Sequence, residues 1–154
     1  MKQLPIGIQD FNKLIEGNYL YIDKTERIHR LITSNNACFL SRPRRFGKSL
    51  LISTLEDIFN GNTELFTGLW IAQSNYNWKK HPVIRIDFSR LNSQTTRSLK
   101  TGLNLRIKEI AQSYSLELTF NDEVDYNAYS LVKELCLKTK ERVVILIDEY
   151  DSPI

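Results

Sequence analysis

The sequence predicts an α/β fold built around a mostly parallel sheet. Helical and strand patterns alternate along its 154 residues, and the strand candidates are short runs of apolar residues. Such runs are typical of parallel strands buried on both faces. Hydrophobic residues make up 42% and charged residues 25% of the chain, which excludes a disordered chain, a collagen-like repeat and a disulfide scaffold. The length fits one domain rather than two full-sized ones.

Net charge, cysteines and apolar run lengths narrow the class of protein further. A net charge of +3 is too small to indicate nucleic-acid binding by itself. Cys38 and Cys136 each lie in an apolar run, which favours small buried side chains over a disulfide or redox pair. No apolar run reaches the roughly 20 residues of a membrane span, and residues 1–5 lack the apolar core of a signal peptide. We therefore expect a cytoplasmic protein with reduced thiols.

The sequence predicts one helix, one strand and a second helix in the N-terminal third of the chain. Asp23 is a plausible N-cap, and Glu26 completes a capping-box pattern for a helix that ends near residues 35–36. Its inward side chains would be Ile28, Leu31 and Ile32. A strand buried on both faces is predicted over residues 37–41. Apolar residues recur at helical spacing from Leu50 onwards, and Gly61, able to take positive φ, ends that helix.

The remaining elements follow from periodicity. Residues 62–81 are interpreted as an insertion whose aromatic side chains form a small satellite core, with a ligand-stacking platform as the alternative. A second strand is predicted over residues 83–88, with Asp87 near its end. Long amphipathic helices are predicted over residues 93–114 and 126–137. The strongest strand pattern covers residues 143–147 and ends at Asp148 and Glu149.

A strand, a loop, the tripeptide Gly47-Lys48-Ser49 and a helix form the arrangement that a phosphate-binding loop requires. Gly47 would let the backbone approach the phosphates, Lys48 would reach the β- and γ-phosphates, and the Ser49 hydroxyl would bind Mg²⁺. In the general pattern G-x-x-x-x-G-K-[ST] the first glycine falls on Arg42. Because arginine does not take positive φ cheaply, either the loop follows another backbone path or phosphate is held less well.

The loop contains three arginines within four positions, Arg42, Arg44 and Arg45, and the first of them is the departure from the general pattern. Arg44 and Arg45 can compensate for the missing glycine with positive charge, and a solvated basic turn is the alternative. At the end of the last strand, Asp148 would hold Mg²⁺ and Glu149 would polarise the attacking water. Ligands of open α/β sheets bind at the carboxyl ends of strands. Together the two motifs predict a P-loop NTPase-type three-layer sandwich.

The same residues resemble the predicted AAA-ATPase family of bacteria. The resemblance covers nearly the whole chain, and its most specific part is the arginine-rich loop. The segments that carry it are Leu4-Pro5-Ile6-Gly7-Ile8-Gln9-Asp10-Phe11, Tyr21-Ile22-Asp23-Lys24-Thr25, Phe39-Leu40-Ser41-Arg42-Pro43-Arg44-Arg45-Phe46-Gly47-Lys48-Ser49-Leu50 and Leu146-Ile147-Asp148-Glu149-Tyr150-Asp151. The resemblance implies that Arg42 is normal for this family.

The resemblance also implies a set of site residues. The nucleotide would be bound by the loop Arg42, Pro43, Arg44, Arg45, Phe46, Gly47, Lys48, Ser49 and Leu50. Mg²⁺ would be held by Ser49 and Asp148, and the candidate catalytic residues are Glu149 and Lys48. Asp23-Lys24-Thr25 is a family hallmark that would either lie beside the nucleotide or simply begin a capped helix.

Longer members of this family resemble two-part proteins with a restriction-endonuclease-like C-terminal domain. We therefore expect residues 1–154 to be the N-terminal part of one P-loop domain, truncated after the Walker B strand. Within it, residues 1–36 would form an N-terminal segment and helix, and residues 37–154 the P-loop core. The missing neighbour would leave the strand at residues 143–147 with an apolar open edge, which predicts self-association.

The predicted function is Mg²⁺-dependent ATP binding, with ATP hydrolysis in the complete protein and doubtful turnover by this chain alone. The alternative is a degenerate P-loop module whose basic loop binds nucleic acid or a protein partner. Further phosphate contacts could then come from Lys79, Lys80, Arg85 and Arg90. A small-metabolite kinase is a third hypothesis, which the family resemblance disfavours.

Overall fold

The structure, a computed structural model, describes residues 2–34, 37–41, 43, 46–91 and 94–150. The chain divides into two compact units, Met1–Lys80 and His81–Ile154. Helices dominate the described residues of the first unit, whereas the second unit combines helices with a parallel sheet. The predicted α/β class is therefore confirmed at this level.

Helices α1 to α3 belong to the first unit. They cover Phe11–Glu16, Thr25–Ser34 and Lys48–Asn60, and two short 3₁₀ helices follow at Thr63–Phe66 and Trp70–Gln73. As predicted, α3 ends at Gly61, which has a φ of 73° and donates its backbone N–H to the carbonyls of the last turn. Helix α1 was not predicted from the sequence.

The core of the first unit is largely aromatic. Phe11 from α1 and Phe66 from the first 3₁₀ helix are fully buried, and their rings stack with centroids 4.7 Å apart. The Trp78 ring lies 5.1 Å from Phe66, and the Tyr21 ring lies 5.2 Å from Phe11. The aromatic residues that follow α3 thus pack as a hydrophobic core, in line with the packing interpretation of this segment.

The strand predicted over residues 37–41 is wrong. These residues form no strand, and Cys38 and Phe39 are exposed. A strand needs a neighbour for its backbone N–H and C=O groups. In the described part of the chain the two strands that pair both belong to the second unit, so this apolar run has no ladder to join.

The capping box predicted for α2 is also wrong. The helix begins at Thr25, and Glu26 pairs instead with Arg30, one turn further on, at 2.6 Å. The Asp23 carboxylate accepts hydrogen bonds from the backbone N–H groups of Thr25 and Trp70. Glu26 lies in the first turn of α2 and stabilises the exposed face of the helix as an i,i+4 pair with Arg30, rather than as the capping-box partner of Asp23.

Strands β1 and β2 form the parallel sheet of the second unit. They cover Val83–Asp87 and Val144–Asp148, close to the ranges predicted from the sequence. They pair in parallel with Val83 opposite Val144 and Asp87 opposite Asp148. Between them lie a 3₁₀ helix at Phe88–Arg90 and two helices, α4 at Thr96–Ser113 and α5 at Val124–Thr139.

The core of the second unit lies between this sheet and helices α4 and α5. Ile84 of β1 packs with buried residues of both helices, namely Ile107, Ile110, Ala111, Leu131 and Leu135. Cys136 follows Leu135 on α5 but is exposed, as is Cys38 in the first unit, so the prediction that both thiols are buried is wrong. Both cysteines are free in the structure.

Candidate functional site

The N-terminus of α3 contains the predicted phosphate-binding residues. Gly47 is its N-cap and lies in the left-handed region, with φ 77° and ψ 24°; having no side chain, it makes no capping hydrogen bond of its own. Lys48 and Ser49 are the first two helical residues, and both are half-buried. The first N–H groups of a helix lack intrahelical partners and lie at the positive end of the dipole. The arrangement can therefore bind an anion such as phosphate.

Gly47 is required by backbone conformation rather than by space. A Cβ added at this position would meet no atom within 4 Å. The cost of a larger residue would come from the positive φ, which L-residues other than Asn and Asp rarely adopt. The Gly47 carbonyl accepts the first helical hydrogen bond of α3, from Leu51, at 3.0 Å.

Helix α3 is fixed in the first unit by hydrogen bonds to its buried face. The Ser53 hydroxyl accepts the backbone N–H of Phe11 at 2.9 Å, and this bond is buried. Burial, reinforced by the charge of Asp23, raises the pKa of Tyr21 to about 12, although a hydrogen bond with Thr54 acts in the opposite direction. These contacts hold the phosphate-loop helix against α1 and the segment that follows it.

The segment Asp23-Lys24-Thr25 joins α2 to the second 3₁₀ helix. The Asp23 carboxylate accepts the N–H and the hydroxyl of Thr25 at 2.8 and 2.7 Å, and the N–H of Trp70 at 2.7 Å. Thr25 is fully buried, and its hydroxyl accepts the N–H of Ile71 at 3.1 Å. Partial burial favours a higher pKa for Asp23, but these hydrogen bonds outweigh it and lower the pKa. These hydrogen bonds give the segment Asp23-Lys24-Thr25 a structural role within the first unit.

In the second unit, Asp148 is the last residue of β2 and is only 4% exposed. Its Oδ1 accepts the backbone N–H of Glu149 at 3.1 Å. Glu149 has a φ of 49°, so the chain leaves the extended conformation immediately after Asp148. For a residue with a long side chain this conformation is uncommon, and such residues are enriched at functional sites.

Asp87 is an additional acidic residue at the same end of the sheet. It is opposite Asp148 in the β1–β2 register. Its Oδ1 accepts the N–H and hydroxyl of Ser89, and its Oδ2 accepts the Arg90 guanidinium at 3.0 Å. Sequence reasoning noted Asp87 only as a strand end. The signal was present, since the carboxyl ends of neighbouring parallel strands lie along one edge.

The predicted site residues are distributed over both units. Lys48, Ser49 and Leu50 belong to the first unit, and Asp148 and Glu149 belong to the second. Pro43 and Phe46 are exposed. Arg42, Arg44 and Arg45 lie outside the described residues.

Oxygen is the donor atom that Mg²⁺ prefers, and this ion is commonly held by one or two carboxylates together with waters and substrate phosphates. The Ser49 hydroxyl in the first unit and the Asp148 carboxylate in the second unit are both oxygen donors. Over the described ranges, no three His, Cys, Asp or Glu side chains cluster as a metal site.

The part of the chain that the structure describes has no helix with both the length and the apolar character of a membrane span.

A phosphate-type helix N-terminus and an acidic strand end are features of the nucleotide-binding α/β proteins. The chain belongs to the predicted AAA-ATPase family, which it matches over residues 5–154. This confirms the family resemblance and supports nucleotide binding. The chain is also similar to a protein of Azotobacter chroococcum mcd 1, "Uncharacterized protein in vnfD 5'region", with 40% identity over 155 aligned residues. That alignment covers 99% of this chain and 30% of the relative. No solved structure matches the chain.

Proposed function

We propose that the chain is a Mg²⁺-dependent ATP-binding module and that the complete protein hydrolyses ATP. The observation that carries the proposal is the start of α3, where left-handed Gly47 directly precedes Lys48 and Ser49. Membership of the predicted AAA-ATPase family supports the choice of nucleotide. The first N–H groups of a helix have no intrahelical partner and can donate to phosphate oxygens.

In this proposal each residue of the loop has a separate role. Lys48 supplies a positive charge to the β- and γ-phosphates, and the backbone N–H groups at the start of α3 orient them. The Ser49 hydroxyl is a ligand for Mg²⁺. Arg42, Arg44 and Arg45 add charge where the general pattern has only one lysine, and Pro43, Phe46 and Leu50 complete the binding loop.

The acidic strand end supplies the second part of the proposed chemistry. Asp148 would hold Mg²⁺, and the ion, when bound, would offset the negative charge of the phosphates. Glu149 would accept a proton from the attacking water as a general base. A carboxylate next to the metal ligand favours attack by water over transfer to another molecule, which is why we propose hydrolysis rather than a kinase reaction.

Equilibrium binding of a fluorescent ATP analogue in the presence of Mg²⁺ tests the proposal. Lys48→Ala should abolish binding, whereas Lys100→Ala, at an exposed lysine of α4, should leave it unchanged. The proposal is wrong if the folded wild-type chain does not bind the analogue, or if both variants bind as it does. Omission of Mg²⁺ should weaken binding in the wild type and in Ser49→Ala to different extents, because Ser49 acts through the ion.

Alanine substitutions at Gly47 and Gly61 distinguish the binding function of the loop from the stability of α3. Gly47 and Gly61 flank α3 and have φ values of 77° and 73°. Neither has an atom closer than 3.7 Å to an added Cβ. Alanine at either position should therefore destabilise the fold by a similar amount, about 1 kcal/mol. Only Gly47→Ala should also weaken nucleotide binding. Equal effects of the two variants on binding would contradict the role given to Gly47.

The alternative partner is nucleic acid, and the same samples test it. DNA binding that falls steeply with salt and does not depend on nucleotide would favour a role for the basic loop in phosphate-backbone contacts. Among the other basic residues considered, Arg90 is already paired with Asp87. We further propose a cytoplasmic location, which the two free cysteines support.

A further inference from the structure

Two adjacent hydroxyl residues of α3, Ser53 and Thr54, bond to the chain segment that precedes α2. Both are buried, with exposures of only 3% and 1%. Ser53 Oγ accepts the backbone N–H of Phe11 at 2.9 Å, and the Thr54 hydroxyl is hydrogen-bonded to that of Tyr21. The rings of Phe11 and Tyr21 contact each other edge-on, with centroids 5.2 Å apart. The two hydrogen bonds therefore connect α3 to one packed segment of the first unit.

The Thr54 hydroxyl also connects this segment to the first turn of α3. It donates to the carbonyl of Leu50, four residues earlier, at 2.8 Å. Because a threonine hydroxyl has only one proton, the Tyr21 hydroxyl is the donor in its bond with Thr54. The N–H of the same peptide unit, that of Leu51, donates to the Gly47 carbonyl at 3.0 Å. Tyr21 is thus linked through α3 to the N-cap glycine of the proposed phosphate-binding loop.

Stability alone does not explain the hydroxyl groups of Tyr21 and Thr54. Replacement of both partners of a buried hydrogen bond by apolar groups of the same shape can be nearly neutral. A threonine hydroxyl bonded to the carbonyl four residues earlier even weakens a helix slightly. What the bonds add is direction. Adjacent residues such as Ser53 and Thr54 lie about 100° apart around the helix axis, so both bonds form in only one rotation of α3.

We propose that Tyr21, Ser53 and Thr54 are positioning residues that fix the rotation of α3 and so direct the nucleotide-binding groups at its start. This inference rests on the proposed function. Ser49, the proposed Mg²⁺ ligand, lies one turn before Ser53 on the same face of the helix. Lys48 is the residue before it, about 100° away around the axis. A change in rotation would move both side chains relative to the bound phosphates without unfolding the unit.

Equilibrium binding of the fluorescent ATP analogue with Mg²⁺, measured beside urea unfolding of the full chain, tests this inference. Thr54→Val should raise the dissociation constant about three- to tenfold, and Ser53→Ala should act in the same direction. Thr54→Ser should restore binding, because serine keeps the hydroxyl. The double variant Tyr21→Phe, Thr54→Val should unfold near the wild-type urea midpoint, since neither hydroxyl is left without its partner. It should nevertheless bind as weakly as Thr54→Val, which a merely structural role would not produce.

Ile58→Val is the matched control for a general loss of stability. Ile58 lies one turn after Thr54 on α3 and is fully buried, but its side chain forms no hydrogen bond. The variant should lower the urea midpoint and leave the dissociation constant unchanged. Circular dichroism verifies that each variant is folded, and if Thr54→Val does not fold, the double variant carries the comparison.

The outcomes distinguish this inference from the proposed function. The inference alone is wrong if the wild type binds through Lys48 but Thr54→Val and the double variant bind with wild-type affinity. It is also wrong if Ile58→Val weakens binding as much as Thr54→Val does, because loss of stability would then explain the effect. A folded wild type that does not bind the analogue refutes the proposed function, and this inference with it.

Discussion

Phe66 is the residue whose replacement most directly tests the aromatic core of the first unit. Its ring is fully buried, stacks on Phe11 at 4.7 Å and lies 5.1 Å from Trp78. It follows α3 directly, in the segment that sequence analysis interpreted as an insertion with a small satellite core. If that segment is instead required for the unit to fold, Phe66→Ala must be strongly destabilising.

The expected loss follows from burial and ring contacts. Truncation of a buried phenylalanine to alanine costs about 3–5 kcal/mol. The two aromatic pairs contribute about 0.5–1.5 kcal/mol each beyond area burial, so we expect Phe66→Ala to fall in the upper part of the range, about 4–5 kcal/mol. Phe66→Leu keeps much of the apolar volume but loses both ring contacts, and should cost about 1–2 kcal/mol.

Urea unfolding followed by tryptophan fluorescence measures the loss in the free energy of unfolding of the first unit. The chain has two tryptophans, Trp70 and Trp78, and both belong to the first unit. Phe46→Ala is the matched control because its side chain is 62% exposed, and it should change stability by less than about 0.5 kcal/mol. The reasoning is refuted if Phe66→Ala loses no more stability than Phe46→Ala.

Three further predictions concern titratable groups and backbone strain. Because the pKa of Asp23 is lowered in the folded state, its hydrogen bonds stabilise the protein above the unfolded pKa of about 3.9. Because Asp23 is exposed and its charge is screened by solvent, Asp23→Asn should cost about 0.5–1 kcal/mol at neutral pH. The difference in urea midpoint should disappear in acid, and a constant difference would contradict the linkage. Tyr21, with its pKa raised to about 12, should be the last tyrosine to ionise in an ultraviolet titration. The stability of the folded protein should fall as the pH rises towards that value. A titration curve that Tyr21→Phe leaves unchanged would exclude this assignment. Lys140 ends α5 at a φ of 61°, so Lys140→Gly should raise thermal stability by about 0.5–1 kcal/mol, and a lower melting temperature would show that the strain is not relieved.

The second unit was predicted well because its elements have strong, uniform patterns. Helices α4 and α5 begin and end within three residues of the predicted bounds, and β1 and β2 within one residue. The pairing of Asp87 with Asp148 was not predicted, because it depends on the register of two strands separated by two helices. Periodicity identifies which residues belong to an element but not which residue lies opposite.

The first unit was predicted less well, and for a different reason. The apolar run at residues 37–41 has the composition of a buried strand, but composition does not supply a neighbouring strand. Helix α1 has only six residues, of which Phe11 and Leu14 are buried, too few to give a helical period. Its position is fixed by the long-range bond from Phe11 to Ser53 and by the Phe66 ring.

The residues of the candidate site also differ in how far the sequence predicts them. The Gly47-Lys48-Ser49 start of α3 and the acidic end of β2 both follow from short-range patterns, and α3 and β2 lie where these patterns predict them. The strand that the phosphate-loop pattern requires over residues 37–41 is not formed. The role of Asp23 and Thr25 could not be predicted, because their partners Trp70 and Ile71 lie about 46 residues further along the chain. Local sequence carries no signal for such a contact.

The distance along the chain between the two sides of the aromatic core affects how the protein folds during synthesis. Phe11 and Asp23 leave the ribosome long before Phe66 and Trp70, so the first unit cannot close until about the seventieth residue has emerged. Until then the ring of Phe11 is exposed to solvent and to chaperones, since domains fold as units while the chain elongates. Contacts of such sequence separation also slow folding. The phosphate loop lies in the stretch of chain between them, so it becomes tethered at both ends only when this late step is complete.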